Sequence, residues 1–123
     1  MKKYSENQFL KITGDCLCGI ANETAGRIVG GAPTLPNQYP WQVGLVFGSQ
    51  NSPFCGGTLI SDTYVMTAAH CTNGQSASQL KVLVGEHNLG TTNDSAFKVQ
   101  VAQIIQDPSY NSSTLDRDFS ILR

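Results

Sequence analysis

From Ile28 onward the sequence is built of apolar stretches of about five to eight residues that alternate with turn clusters, the pattern of short β-strands. Trp41, Val43, Leu45 and Phe47 alternate with Gln42 and Gly44 along one face, and Gly48 to Pro53 then forms a turn cluster. Gly57 to Ile60 is a short stretch closed by Ser61-Asp62, and Tyr64, Val65 and Met66 resume the apolar run. Leu80 to Val84 reads Leu-Lys-Val-Leu-Val and stops at Gly85. Phe97, Val99 and Val101 alternate with Lys98, Gln100 and Ala102, and Phe119 to Leu122 opens a last stretch. About six short strands without a long helical period favour an all-β barrel or sandwich.

The chain has 123 residues, enough for one domain with a modest core. Residues 1–27 lack this pattern and end in Thr24-Ala25-Gly26-Arg27, which suits an exposed, cleavable leader. Hydrophobic residues make up 40% and charged residues 14%, a globular balance. Eight Lys plus Arg face nine Asp plus Glu without a block of like charge, so neither nucleic acid nor an anionic membrane is an expected partner. No apolar run is long enough to span a bilayer. Lys2 and Lys3 could open a secretory signal, but Phe9, Leu10 and Ile12 do not make its apolar core, so no signal peptide is expected as the sequence stands.

Other features point to an oxidising compartment. Cys16, Cys18, Cys55 and Cys71 contain no CxxC pair, which argues against a zinc site, and four cysteines allow three pairings. Asn22-Glu23-Thr24, Asn93-Asp94-Ser95 and Asn111-Ser112-Ser113 are glycosylation sequons, each a candidate in a chain that enters the secretory route. The expected localisation is therefore extracellular, with the natural N-terminus lost or misassigned. Arg123 follows an apolar strand directly, so the domain is also expected to continue beyond it.

Five strings carry a resemblance when taken together: Arg27-Ile28-Val29-Gly30-Gly31, Pro40-Trp41-Gln42-Val43, Cys55-Gly56-Gly57-Thr58-Leu59-Ile60, Thr67-Ala68-Ala69-His70-Cys71 and Asp118-Phe119-Ser120-Ile121-Leu122. In this order and spacing they resemble the chymotrypsin/trypsin family of serine proteases. The resemblance covers residues 28–123 and implies a trypsin-like peptidase domain, of which only the first barrel, six-stranded and antiparallel, is present. Residues 1–27 would then be the activation peptide of a secreted zymogen.

The resemblance also implies roles. His70 would be the general base, since a serine hydroxyl becomes a good nucleophile only when a neighbour takes its proton, and imidazole changes charge near neutral pH. Asp118 would orient His70 and stabilise its imidazolium, as in the well-studied serine protease triad. Asp116, two residues earlier, competes for that role. Cleavage between Arg27 and Ile28 by a trypsin-like activator would free the Ile28 ammonium, a group tolerated in an interior only when paired. Cys55 and Cys71 would form a disulfide. Cys18 resembles a leader cysteine that ties the cleaved leader to the catalytic domain, with its partner then expected beyond Arg123, and Cys16 could pair with a module upstream of Met1. Gly85-Glu86-His87-Asn88 is similar to the start of a calcium loop in some trypsins. The loop's later acidic ligand has no clean match among Asn93, Asp94, Ser95 and Ala96, so no metal or other cofactor is assigned.

One element of the family is missing. Its nucleophile sits in Gly-Asp-Ser-Gly-Gly-Pro, and these residues contain no such string. Ser120 is not a substitute, because it lies in a strand without an oxyanion loop. The expectation is a serine endopeptidase acting on protein or peptide substrates, with this chain inactive by itself. The alternative is a non-catalytic homologue or short-form binding module. The gene sequence beyond Arg123 discriminates between them.

Overall fold

The computed structural model describes residue 19 and residues 38–86 and 96–123. Among these residues seven strands form one antiparallel sheet: β1 (Gln42–Phe47), β2 (Cys55–Leu59), β3 (Val65–Thr67), β4 (Leu80–Val84), β5 (Phe97–Gln100), β6 (Ile104–Gln106) and β7 (Ser120–Leu122). Their spatial order is β5-β4-β1-β2-β3-β7-β6. A one-turn helix, α1 (Ala69–Thr72), follows β3, and a 3₁₀ turn over Ala77–Gln79 leads into β4.

The sheet is strongly curled, and its hydrogen bonding shows how. Its edge strands β5 and β6 are separated in the chain only by residues 101–103. The Val101 N–H donates to the Leu80 carbonyl at 3.1 Å, and the Ala102 N–H to the Arg123 carbonyl at 2.7 Å. Gln103 and Arg123 exchange two further bonds, of 3.1 and 3.0 Å. Residues 97–106 thus behave as one bent strand that leaves β4 and joins β7. The sequence suggests about six strands where seven are found, and the additional one is the second half of this bent segment. A pattern of alternation cannot register a mid-strand change of partner.

The core lies inside the curl. Val43, Leu45, Val65, Cys71, Leu80, Val82, Val84, Val101 and Leu122 form one buried cluster. Alternation along β1 places Val43 and Leu45 there, and Leu45 is fully buried. Burying each such side chain contributes about 1.5–3 kcal/mol. The register Val43↔Gly57 and Val43↔Val84 brings β2 and β4 against either side of β1. Gly57 permits this close approach: a Cβ there would stand 2.9 Å from Val65 Cγ1, 3.1 Å from the Met66 carbonyl oxygen and 3.2 Å from Val43 Cγ2.

Phe97 and Val99 differ from what their alternation suggests. They sit opposite Val84 and Val82 yet remain about half exposed, at 51% and 47%, whereas Val101 is buried. The apolar face of β5 therefore lies at the margin of the core and enters it only where the chain bends.

Candidate active site

Local structure around His70 is set by two ties to β2. At the end of β3 the Thr67 hydroxyl donates to the Gly56 carbonyl at 2.8 Å, fixing β3 to β2. The chain then passes through extended Ala68 into α1, so His70 stands in the first turn of a very short helix. A disulfide between Cys55 and Cys71, with Cα atoms 6.2 Å apart, holds the next residue of that helix to β2.

Asp118 reaches this helix through strand register. β3 and β7 pair antiparallel as Val65↔Leu122, Met66↔Ile121 and Thr67↔Ser120. Continuing that register past Ser120 sets Asp118 opposite the start of α1. The first N–H groups of a helix have no partner within it, and Ala68 supplies no capping side chain. Asp118 fills that role from across the sheet. Its Oδ1 accepts the His70 backbone N–H at 2.7 Å, and its Oδ2 lies 2.7 Å from His70 Nδ1.

This two-point contact has chemical consequences. An ionised carboxylate only accepts hydrogen bonds, so the proton of the neutral ring belongs on Nδ1 and Nε2 is left as the basic nitrogen. Nε2 has no hydrogen-bond partner among the described residues. The His70 side chain is 54% exposed and that of Asp118 21%, so the ring faces solvent above a more sheltered carboxylate. The imidazole hydrogen bond holds the Asp118 carboxyl below its ordinary pKa, helped by the His70 backbone amide and, less strongly, that of Ala69.

Asp116 is not part of this contact. It lies exposed in the loop before β7, and its backbone carbonyl accepts the Asn111 N–H at 3.1 Å. Ser120 is fully buried, and its hydroxyl is directed to the Ile105 carbonyl at 3.4 Å, so substrate has no access to it. Cys55, Cys71 and His70 cluster closely enough to suggest a metal ligand set, but both sulfurs are used in the disulfide. Asn111 is exposed, and its Oδ1 accepts the Ser113 and Thr114 N–H groups at 2.9 and 3.4 Å. Arg27, Ile28, Cys16, Cys18, Asn22, Asn93, His87 and Asn88 lie outside the described residues.

Sequence reasoning missed one support. Thr72, in α1, is buried, with its hydroxyl 3.3 Å from both the Ala69 carbonyl and Gln106 Oε1. Gln106 also donates from Nε2 to Asn73 Oδ1 at 3.3 Å. A glutamine more than 30 residues away in sequence thereby braces the helix that carries His70. No local signal marks it, because the contact exists only once residues 97–106 bend across to β7.

Known proteins share this chain's sequence pattern and fold. A family model described as Trypsin matches residues 28–123. Cationic trypsin-3 of Rattus norvegicus is 35% identical over 115 residues, covering 94% of this chain and 44% of that protein. The VesB protease of Vibrio cholerae superposes with a TM-score of 0.70 at 30% identity, over 79% of this chain and 30% of that one. The secreted serine protease VesC of Vibrio cholerae gives a TM-score of 0.68 at 28% identity, over 75% of this chain and 20% of that one. The chain spans less than half the length of each of these proteins.

Proposed function

The chain belongs to the trypsin family of serine proteases, and on that premise we propose that it supplies the base and the orienting carboxylate of a serine endopeptidase. His70 is the general base and Asp118 its orienter. The observation that carries this reading is the paired contact of one carboxylate with the Nδ1 and the backbone N–H of His70, which leaves Nε2 free and exposed. In the working protease the serine hydroxyl passes its proton to Nε2 as its oxygen attacks the peptide carbonyl. Asp118 stabilises the resulting imidazolium, and His70 then gives the proton to the departing amine. The substrates are proteins or peptides.

The protein is further read as a secreted zymogen with residues 1–27 as activation peptide and residues 28–123 as peptidase domain. A trypsin-like activator would cut between Arg27 and Ile28. The kinship with a secreted Vibrio protease and the Cys55–Cys71 disulfide support an oxidising, extracellular setting. In that setting Asn111 is the glycosylation candidate that falls among the described residues. It is exposed, its Oδ1 rather than its amide nitrogen makes the loop's hydrogen bonds, and a glycan on Nδ2 would break none of them.

Because these residues include no Gly-Asp-Ser-Gly-Gly-Pro string, the chain alone is expected to be inactive. Limited digestion with immobilised trypsin, removed before assay, followed by N-terminal sequencing and assay on arginine-, tyrosine- and alanine-type chromogenic peptides against a mock digest lacking the chain, tests both points. The expected result is a new N-terminus at Ile28 and no turnover. Turnover blocked by a serine-directed inhibitor would overturn the expectation that the chain alone is inactive, and resistance at Arg27 with cleavage elsewhere would overturn the zymogen reading.

A further inference from the structure

Among the described residues two that are not glycine hold positive φ, Leu115 at +56° and Arg117 at +57°. Both lie in the loop between β6 and β7, and Arg117 immediately precedes Asp118. The left-handed region suits glycine and is tolerated by asparagine, whereas a Cβ disfavours it and a branched Cβ nearly excludes it. Such a conformation persists only where the surroundings over-determine it.

Here the surroundings do so through backbone contacts. Asn111 and Asp116 form an isolated antiparallel bridge that closes the loop just upstream. The Phe119 N–H donates to the Arg117 carbonyl at 2.9 Å, closing a three-residue turn centred on Asp118. From Ser120 onward the chain is fixed by its pairing with β3. The Arg117 side chain adds little, since it is 56% exposed and its guanidinium stands 3.7 Å from Asp107. Moving Arg117 to an ordinary negative φ would rotate the chain there by about 120°. With β7 held in register, the Asp118 carboxylate would then swing away from α1.

We propose that Arg117 is a positioning residue whose left-handed backbone turns the chain into Asp118 so that both carboxylate oxygens meet His70. Its contribution lies in the backbone rather than in the guanidinium. The inference rests on reading His70 and Asp118 as a working pair, but its test reads the hydrogen bond itself.

The experiment compares the 123-residue chain with its Arg117→Asn, Arg117→Gly, Arg117→Gln, Arg117→Ala and Arg117→Val variants. The readouts are the low-field Nδ1 proton and ring nitrogen shifts of His70 by NMR, with a thermal melt of each variant. Asn and Gly should keep the bonded signal at or above its original level. Gln, which removes the charge and the Asp107 contact but keeps an unbranched side chain, should match the original chain. Val should lower the bonded population about tenfold. Should Val fail to fold, Ala carries the test, with a bonded population several-fold below that of Asn. A bonded signal in Val equal to that of Asn would overturn the proposal, as would a loss in Gln as large as in Val. Intact bonding that follows this order, in a longer serine-bearing protein whose turnover ignores His70, would instead refute the catalytic reading and leave the positioning claim standing.

Discussion

Removing the Cys55–Cys71 link should lower stability by an amount the structure allows one to work out. The two cysteines are 16 apart in sequence, and closing a loop of that length removes denatured-state entropy worth about 3 kcal/mol. A small domain has only about 5–15 kcal/mol in total, so this is a large share. At about 4–8 °C per kcal/mol for a domain of 60–100 residues, the melting temperature should drop by about 12–24 °C. The suitable variant is Cys55→Ala with Cys71→Ala, because Cys71 is buried and alanine places no unpaired hydroxyl or thiol there. Thermal unfolding followed by circular dichroism, with and without a reducing agent, is the assay. The reductant should reproduce the drop in the original chain and leave the variant unmoved. A variant that melts within about 3 °C of the original would refute the reasoning, because loop closure would then contribute almost nothing.

Two further outcomes follow from the same geometry. Asp118 titrates below its ordinary value of 3.8, so its contact with His70 stabilises the fold above that value and is lost as the pH falls through the lower folded one. Asp118→Asn should therefore melt lower than the original chain at neutral pH, and the two should converge in acid; parallel curves from neutral pH down to about pH 2 would contradict this. Gly57→Ala should cost about 1–3 kcal/mol, because the new methyl meets the Met66 carbonyl oxygen, which belongs to a paired strand and cannot swing aside. An unchanged denaturant midpoint would show that β2 and β3 separate more easily than their packing suggests.

Much of the sheet was legible because burial imposes a period of two on a strand. Leu80–Val84 falls where its apolar run lies, and Val43 and Leu45 point inward as their alternation implies. What the pattern hides is whatever depends on partners. β2 begins at Cys55, two residues ahead of its apolar stretch, because pairing with β1 and the disulfide extend it. The bend at residues 101–103 is set by where β7 lies, and Gln106 follows from that bend. His70 and Asp118 were found through a family resemblance, not through spacing, since nothing local ties residues 48 apart. The choice of Asp118 over Asp116 becomes physical only with the β3–β7 register. The left-handed Arg117 gives no sequence signal, because arginine is not a residue that favours that conformation.

The central claim is that His70, held by Asp118, is the base of a peptidase centre. The most direct test is a chimera in which residues 28–123 replace the matching segment of a trypsin that retains its own serine. Folding is checked by its melting transition, and peptide hydrolysis is measured with and without His70→Ala. The account predicts a folded chimera that hydrolyses peptide substrate and loses roughly 10³-fold or more of its kcat when His70 is replaced, the scale seen when members of such a triad are removed. A folded chimera whose turnover is the same with alanine at position 70 would contradict it.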